Sequence, residues 1–456
     1  MSAALTTFRD PAGSLTIEGE RVFRTVRPEF ADDCLHFLNS ETAQAWVAAG
    51  KLVETRVLNH ASGEPLDLEH QRVFFPSYPW EWTPGQWISA AELTLDFADA
   101  QIAAGRILKD ATPLNVLFRG GNPVFVDVLS SEPRDLQDPL WQAYGQFVRT
   151  FFLPLAAYKY LGWPLALSLT RRDGYQPGDL YPHLSMWARF REPLFSFVTL
   201  AHFFERRAKG GPERKLKQRP DAALYMHRRR IASLRSALRK LSTAPLQSHW
   251  SAYPETADHY SPQEREQKRE FVERILETAR PARVLDIGAN TGEYSRLAAQ
   301  FGAHVVAWDT DVAAAEHNRR AAVELDLPIL SLVADVARPS PALGWRYAES
   351  SSLLDRARGR FDLVMMLGVI HHLLLVDQIP MREIASLTAE LTTEWAIVEW
   401  IPATDVRFRE LCRGRDRLYG HLDERTFLKS FSQMFSAVSR KALGNGRVVF
   451  LLLRNH

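Results

Sequence analysis

The stretch that decides the fold is VLDIGANTGEY, Val284 to Tyr294. An apolar run carries Asp286 near its end, turns through Gly288 and Gly292, and opens a helix. Small residues at such a turn let a ligand approach the backbone where a strand gives way to a helix N-terminus. A dinucleotide fold would place GxGxxG here to hold a pyrophosphate. This chain has GANTG instead, and asparagine is the non-glycine residue most tolerant of positive φ.

The pattern continues outward from that turn. On its N-terminal side a helix starts cleanly: Ser261 is an N-cap, Pro262 suits the first helical position, and Glu264 completes a capping box. Phe271, Val272, Ile275 and Leu276 give that helix one apolar face. On the C-terminal side, strand and helix alternate. Residues 292–300 read as a helix, HVVAWD as a strand, 312–323 as a helix and ILSLVAD as a third strand. FDLVMMLGV and WAIVEW follow as further strands. Alternation of this kind implies a mostly parallel sheet covered by helices. The end, SRKALGNGRVVFLLLR, reads as a hairpin around Asn445-Gly446, which puts one antiparallel strand at or near the sheet edge.

Acids stand at the ends of these strands: Asp309 closes HVVAWD, with Asp311 close behind, and Asp335 closes the third strand. A carboxylate at Asp286 suits an ammonium, one at Asp309 suits ribose hydroxyls, and one at Asp335 suits an adenine amine. A ligand with an amine, a ribose and an adenine, and no pyrophosphate, is S-adenosylmethionine (SAM). Residues 261–456 resemble a class I SAM-dependent methyltransferase, many of which have glycine where this chain has Asn290. The resemblance implies a Rossmann-like, seven-stranded α/β sheet with a terminal antiparallel hairpin. It also implies that Asp286, Gly288, Asn290, Gly292, Asp309 and Asp335 bind SAM. The fourth strand, MMLGVIHHLLL, resembles the family's motif at the methyl-transfer end, so His371 and His372 are expected to border the acceptor pocket. An oxygen or nitrogen acceptor loses a proton on methylation, and a histidine of near-neutral pKa can take it. Glu399, at the end of VEW, is a further pocket candidate, followed by Asp405 and Arg409.

The N-terminal part reads differently. Residues 1 to about 130 alternate strand-like runs with turns, including a hairpin at SLTIEGERVFRTV, and residues 135–205 read as helical and aromatic-rich. LKDATPLNVLFRGGNPVFVDV, residues 108–128, places Asp110, Pro113 and Asn115 in D-x-x-P-x-N, with Asp127 after a hairpin. This resembles the catalytic and metal loops of protein kinases and aminoglycoside phosphotransferases. The resemblance implies an α+β kinase-like domain. It gives Asp110 the acceptor proton and makes Asn115 and Asp127 a magnesium pair. The departures are Leu108-Lys109 in place of His-Arg or His-Gly, and Val-Leu after Asp127 in place of Phe-Gly. Just upstream, Trp80, Trp82 and Trp87 read as core or domain interface, with a ligand cleft as the alternative. YPWEW, LKDATPLNV and a methyltransferase half together resemble a two-part bacterial family related to a nodulation methyltransferase.

Composition bounds the rest. The 456 residues are 46% hydrophobic and 24% charged, which excludes a mainly disordered chain. Cys34 and Cys412 are the only cysteines, so a disulfide framework is excluded and no cysteine-built metal site is expected. The N-terminus shows no secretory leader pattern. The longest apolar stretch, Phe147 to Leu169, carries Arg149, Lys159 and two prolines, so a cytoplasmic address without a membrane span is expected. Net charge is +2, yet residues 206–240 hold thirteen Lys or Arg against Glu213 and Asp221. The plain reading is a solvated helix face joining two domains. The alternative is a patch for an anionic partner, nucleic acid included, that runs through Arg228, Arg229 and Arg230. The expected organisation is therefore 1–205, a basic helix and linker over 206–260, and 261–456. The leading functional expectation is a methyltransferase acting on a small-molecule or modified-biopolymer acceptor that the N-terminal half binds or presents. The alternatives are phosphotransfer or nucleotide binding in the N-terminal half, or docking of an anionic partner.

Overall fold

The structure, a computed structural model, describes residues 5–7, 9–61, 63–207, 217–242 and 260–455. The chain divides into two units, one of residues 1–244 with 344–350, the other of 245–343 with 351–456.

Unit 1 begins with strands β1 (Leu5–Thr7), β2 (Gly13–Glu18), β3 (Arg21–Val26), β4 (Thr55–Asn59) and β5 (Leu66–His70). They form an antiparallel sheet in the order β1-β2-β3-β5-β4. The β2–β3 hairpin lies where the alternation placed it, turning at Gly19 with φ +57°. Helices α1 (Pro28–Leu38) and α2 (Glu41–Ala48) sit between β3 and β4. They and the long α3 (Pro84–Ala103) correct the strand-and-turn reading of this region. The cause of α3 is local: Thr83 and Gln86 close a capping box around Pro84, after which Trp87, Ala91, Leu95, Ala98 and Ile102 are buried. Trp80, Trp82 and Trp87 are buried too, with Trp82 edge-on to Trp87 and to Phe118, so this aromatic cluster is core. Two small pairs follow, β6 (Arg106–Leu108) with β9 (Ser131–Pro133) and β7 (Val116–Arg119) with β8 (Asn122–Phe125). Beyond them come α4 (Ala143–Phe147), α5 (Leu153–Leu161), α6 (Pro177–Leu180), α7 (Met186–Arg189), α8 (Ala201–Arg207) and α9 (Pro220–Leu241). The basic helix α9 buries an apolar stripe that includes Ile231, Leu234, Leu238 and Leu241, while Arg228 and Arg229 are exposed. Most of the expected linker, residues 243–259 with Trp250 and Tyr253, lies outside the described residues.

Unit 2 is a mixed α/β fold. Helix α10 (Pro262–Ala279), capped by Ser261 and Glu264, leads into β10 (Arg283–Ile287), α11 (Glu293–Gln300), β11 (His304–Asp309), α12 (Val312–Glu324) and β12 (Ile329–Val333). Then come α13 (Leu353–Ala357), β13 (Phe361–Met366), α14 (Ile370–Leu375), α15 (Met381–Leu391) and β14 (Thr392–Trp400). The chain finishes with α16 (Val406–Cys412), α17 (Asp416–Tyr419), α18 (Glu424–Phe431), β15 (Phe435–Ala442) and β16 (Val448–Arg454). The seven strands lie in the order β12-β11-β10-β13-β14-β16-β15. The first five are parallel, and β16 slots antiparallel between β14 and β15. Helices cover both faces, which is why β10 and β13 read as unbroken apolar runs rather than alternating ones. One core joins α10, α11 and the strands through Val272, Leu276, Leu297, Leu363 and Ile397. Because the five strands run the same way, Asp286, Asp309, Asp335 and Glu399 all come to one edge of the sheet.

Candidate functional site

Strand order reverses between β10 and β13. In a parallel sheet the loops beyond such a point diverge and leave a crevice at the C-terminal strand ends. The Gly288 turn lies there. Gly288 has φ +72°, and the N–H groups of Gly288 and Ala289 both donate to the Trp308 carbonyl, at 2.9 and 3.1 Å. The turn thus folds back over the end of β11. Asn290 takes φ +50°, and its N–H donates to Asp309 Oδ2 at 2.7 Å. The Asp311 N–H donates to Asp309 Oδ1 at 2.8 Å. The turn and the second-strand acid therefore meet at one point. Gly292, φ +82°, opens α11, and a Cβ there would stand 1.9 Å from Asn318 Oδ1 on α12. Glycine is required at that position by backbone and by space together.

Asp286 is buried and accepts the Ser295 hydroxyl at 2.6 Å. Burial pushes its carboxyl up to about 6, against the pull of Ser295. Burial likewise raises Asp309 to about 6, opposed by the N–H groups of Asp311 and Asn290. Two desolvated carboxylates with raised pKa values at one strand-end edge make this a candidate site. Asp335 is placed differently: it accepts the Ala337 N–H at 2.8 Å and pairs with Arg338 at 2.9 Å, and Arg338 also reaches Asp377 at 3.0 Å. Its carboxylate is thus tied into the loop after β12.

His371 and His372 occupy the first turn of α14, their rings 4.3 Å apart. Burial lowers the His372 pKa, with Asp377 opposing and Arg447 adding to the shift, so its imidazole is neutral at pH 7. Gly368, just before them, lies within 3.8 Å of Glu399 measured from the Cβ it lacks.

Around Glu399 the structure brings Tyr260 together with Lys268 and Arg447, the last two of which the sequence reading passed over. Lys268 donates to Glu399 at 2.8 Å, and the Tyr260 hydroxyl donates to the other oxygen of the same carboxylate. Arg447 donates to Tyr260 at 2.8 Å and to Asp405 at 2.9 and 3.2 Å. Burial alone would raise Glu399, but Lys268 and Arg447 outweigh it and hold the carboxyl below its ordinary range. Asp405 also caps α16, the helix that carries Arg409. Lys268 had a signal in the sequence: with Phe271, Val272 and Ile275 it falls on the apolar stripe of α10, where an unpaired lysine does not belong. Arg447 follows a hairpin turn and carries no such mark.

In unit 1, Asn115 Nδ2 donates to the Ser130 hydroxyl at 3.0 Å, and Ser130 donates to Asp127 at 2.6 Å. Arg24 on β3 pairs with Asp127 at 3.2 Å. Asp110 accepts from Gln146 at 3.3 Å; burial raises its pKa, and the charge of Asp127 adds to the rise.

Within unit 2, residues 260–398 match the family described as "Methyltransferase domain". The chain is a SAM-dependent methyltransferase, and SAM is its cofactor. Over nearly its whole length it is similar to the nodulation protein NoeA of Rhizobium meliloti (strain 1021). The two are 26% identical over 481 aligned positions, covering 98% of this chain and 95% of the relative. Among solved structures it is similar to the N-methyltransferase NodS of Bradyrhizobium japonicum WM9, at 13% identity and TM-score 0.32. That match covers 43% of this chain and 99% of the other. It is also similar to magnesium protoporphyrin IX methyltransferase of Synechocystis PCC 6803 with bound SAH, at 19% identity and TM-score 0.30, covering 42% and 84%.

Proposed function

We propose that the crevice at the Gly288 turn holds SAM and that the enzyme methylates an oxygen or nitrogen of an acceptor bound or presented by the N-terminal unit. The observation that carries this reading is the bond from the Asn290 N–H to Asp309, which joins the glycine turn to the acid expected to grip a ribose. The residues fit the donor. Gly288 and Gly292 give the turn the positive-φ bends that fold it over the end of β11. Asp309 offers its remaining lone pairs to hydroxyls, Asp286 offers a desolvated carboxylate to an ammonium, and Asp335 stands at the third strand end for the base. When bound, SAM supplies a methyl group on a sulfonium.

The protein's own part is chiefly positioning, since methyl transfer is an in-line displacement. His371 and His372 border the transfer site. An unprotonated ring nitrogen of His372 takes the proton that an O–H or N–H acceptor must lose. Glu399, kept ionised by Lys268, holds a fixed negative charge behind Gly368. Titration calorimetry of the full chain with SAM and with its demethylated product tests the reading. Micromolar binding is expected, weakened about ten- to a hundredfold in Asp309→Ala through the lost hydroxyl bonds. Folded wild-type protein that binds neither compound ends it.

A second reading, magnesium-nucleotide binding in unit 1, is favoured by one observation: Asn115 and Asp127 share Ser130, and Asp110 feels the charge of Asp127. It predicts magnesium-dependent ATP binding that Asp127→Ala abolishes. A melting temperature indifferent to ATP and magnesium removes it.

A further inference from the structure

A closed circuit of contacts runs around the strand-end crevice of unit 2. A Cβ on Gly288 would stand 3.0 Å from the Val369 Cβ, and one on Gly368 would stand 3.8 Å from Glu399 Oε2. Glu399 Oε2 accepts the Lys268 ammonium at 2.8 Å. Lys268 Nζ in turn lies 5.1 Å from the centre of the Tyr260 ring and 5.2 Å from that of Tyr294. Tyr294 stands in the first turn of α11 beside Ser295, whose hydroxyl donates to Asp286 at 2.6 Å. Asp286 leads back to Gly288. The glycine turn, the segment before His371 and helix α10 therefore meet at Lys268, which is only 6% exposed. Pairing with Glu399 explains how this charge is tolerated, but not why it is there, since an apolar pair could fill the space at little cost in stability. Its position supplies the reason.

We propose that Lys268 is a positioning residue of the donor site: fixed by Glu399, its charge secures the Asp286 carboxylate that receives the ammonium of SAM. The inference rests on the reading that Asp286 meets that ammonium. The groups around Asp286 come from every element packed on it. Its register neighbours on β11 and β13, Ala307 and Met365, are uncharged. Asp309 at the end of β11 adds a like charge, Ser295 on α11 a hydroxyl, and Lys268 on α10 the opposite charge. Burial pushes the Asp286 carboxyl up and Asp309 adds to the rise, while Ser295 and Lys268 pull it down, leaving it at about 6. Lys268 directs its hydrogen bonds to Glu399 and Tyr260. It thus favours the ionised acid without occupying the oxygens that a ligand needs. An ammonium binds the ionised acid, so affinity is present above the Asp286 pKa and is lost as pH falls through it. Removing Lys268 moves that loss to higher pH.

The test is titration calorimetry of the full chain between about pH 5.5 and 8 with two probes. The demethylated product of SAM keeps the ammonium and the ribose; 5′-methylthioadenosine keeps the ribose and adenine but has no amino acid. For the first probe, the affinity of wild type over that of Lys268→Met is expected to be about five or more at pH 6 and near one at pH 8, the effect of a one-unit rise in the Asp286 pKa. The ligand's own amine titrates alike in both measurements and cancels in the ratio. For 5′-methylthioadenosine the ratio should stay near one throughout, because Asp309 still meets the ribose. Lys268→Arg should restore the wild-type profile. Lys268→Met/Glu399→Gln should shift it as Lys268→Met does, and serves if the single variant does not fold. Equal losses for both probes, a ratio independent of pH, or failure of arginine to rescue would make Lys268 merely structural and overturn the proposal. Wild-type protein that binds neither probe would instead remove the donor-site reading, and this inference with it.

Discussion

The ammonium of Lys268 lies 2.8 Å from the carboxylate of Glu399, and both side chains are buried. The pair is extended by the Tyr260 hydroxyl on the other carboxylate oxygen, and by Arg447, which bonds Tyr260 and pairs with Asp405. Two cations and two anions thus fill one corner of the strand-end edge. Taking charges out of water costs so much that a buried pair gives little net stability, whereas leaving one member alone is expensive. The network therefore sets geometry more than it adds stability.

That asymmetry gives the first prediction. Lys268→Met strands the Glu399 charge and should lower unfolding free energy by about 3–5 kcal/mol. Lys268→Met/Glu399→Gln should recover much of that loss. Urea denaturation of the two proteins and of Glu399→Gln completes a double-mutant cycle. Additive effects, with no recovery in the double variant, would show that the pair is not coupled.

Gly292 yields the second. An alanine Cβ would collide with Asn318 Oδ1 at 1.9 Å and would also sit at φ +82°. Gly292→Ala should cost about 2 kcal/mol or more from strain and clash together. Asn318→Ala in that background should relieve only the clash, because the positive φ remains. Denaturation curves for these two variants and for Asn318→Ala alone separate the two contributions.

Much of unit 2 was legible because its signals are local. A capping box starts α10, unbroken apolar runs mark strands buried on both faces, and Asn445-Gly446 marks the last hairpin. Asn290 was readable as a positive-φ residue, and its φ of +50° follows. What escaped depends on partners far away in sequence. Arg447 gains its role from Asp405 and Tyr260, 42 and 187 residues off. Helix α3 was hidden for another reason: Trp80, Trp82 and Trp87 read as an aromatic cluster, which obscured the Thr83–Gln86 capping box that starts the helix.

Asp286 links stability to pH. Its carboxyl is raised from about 3.9 in an unfolded chain to about 6 in the fold, because burial penalises the charge. A raised acid favours the folded state fully below the unfolded value, and that advantage is lost as pH rises through about 6. Asp286→Asn removes the buried charge. It should therefore raise the melting temperature above pH 6, with the gain fading below about pH 4. If Asp286 meets the ammonium of SAM, the same variant should bind the donor more weakly at pH 7 and above. A more stable protein with poorer SAM affinity is the combined signature, read by calorimetry on one preparation.

His372 gives a test of the transfer chemistry. Burial lowers its pKa, and Asp377 only partly offsets the shift, so the unprotonated ring already predominates at pH 7. If that ring accepts the acceptor's proton, kcat is level above neutrality. It falls only as pH drops below the ordinary histidine value of about 6.5. His372→Gln keeps a polar side chain without the base and should reduce kcat about 10²- to 10⁴-fold. KM for SAM should change little, since the donor's expected contacts are on Gly288, Asp286 and Asp309. His371 is a control because it shares the helical turn and its ring lies 4.3 Å away. If His371→Gln flattens the acid limb while His372→Gln leaves it in place, the base is the other ring. If both variants keep the limb and the rate, the pair only shapes the pocket and the proton leaves to solvent.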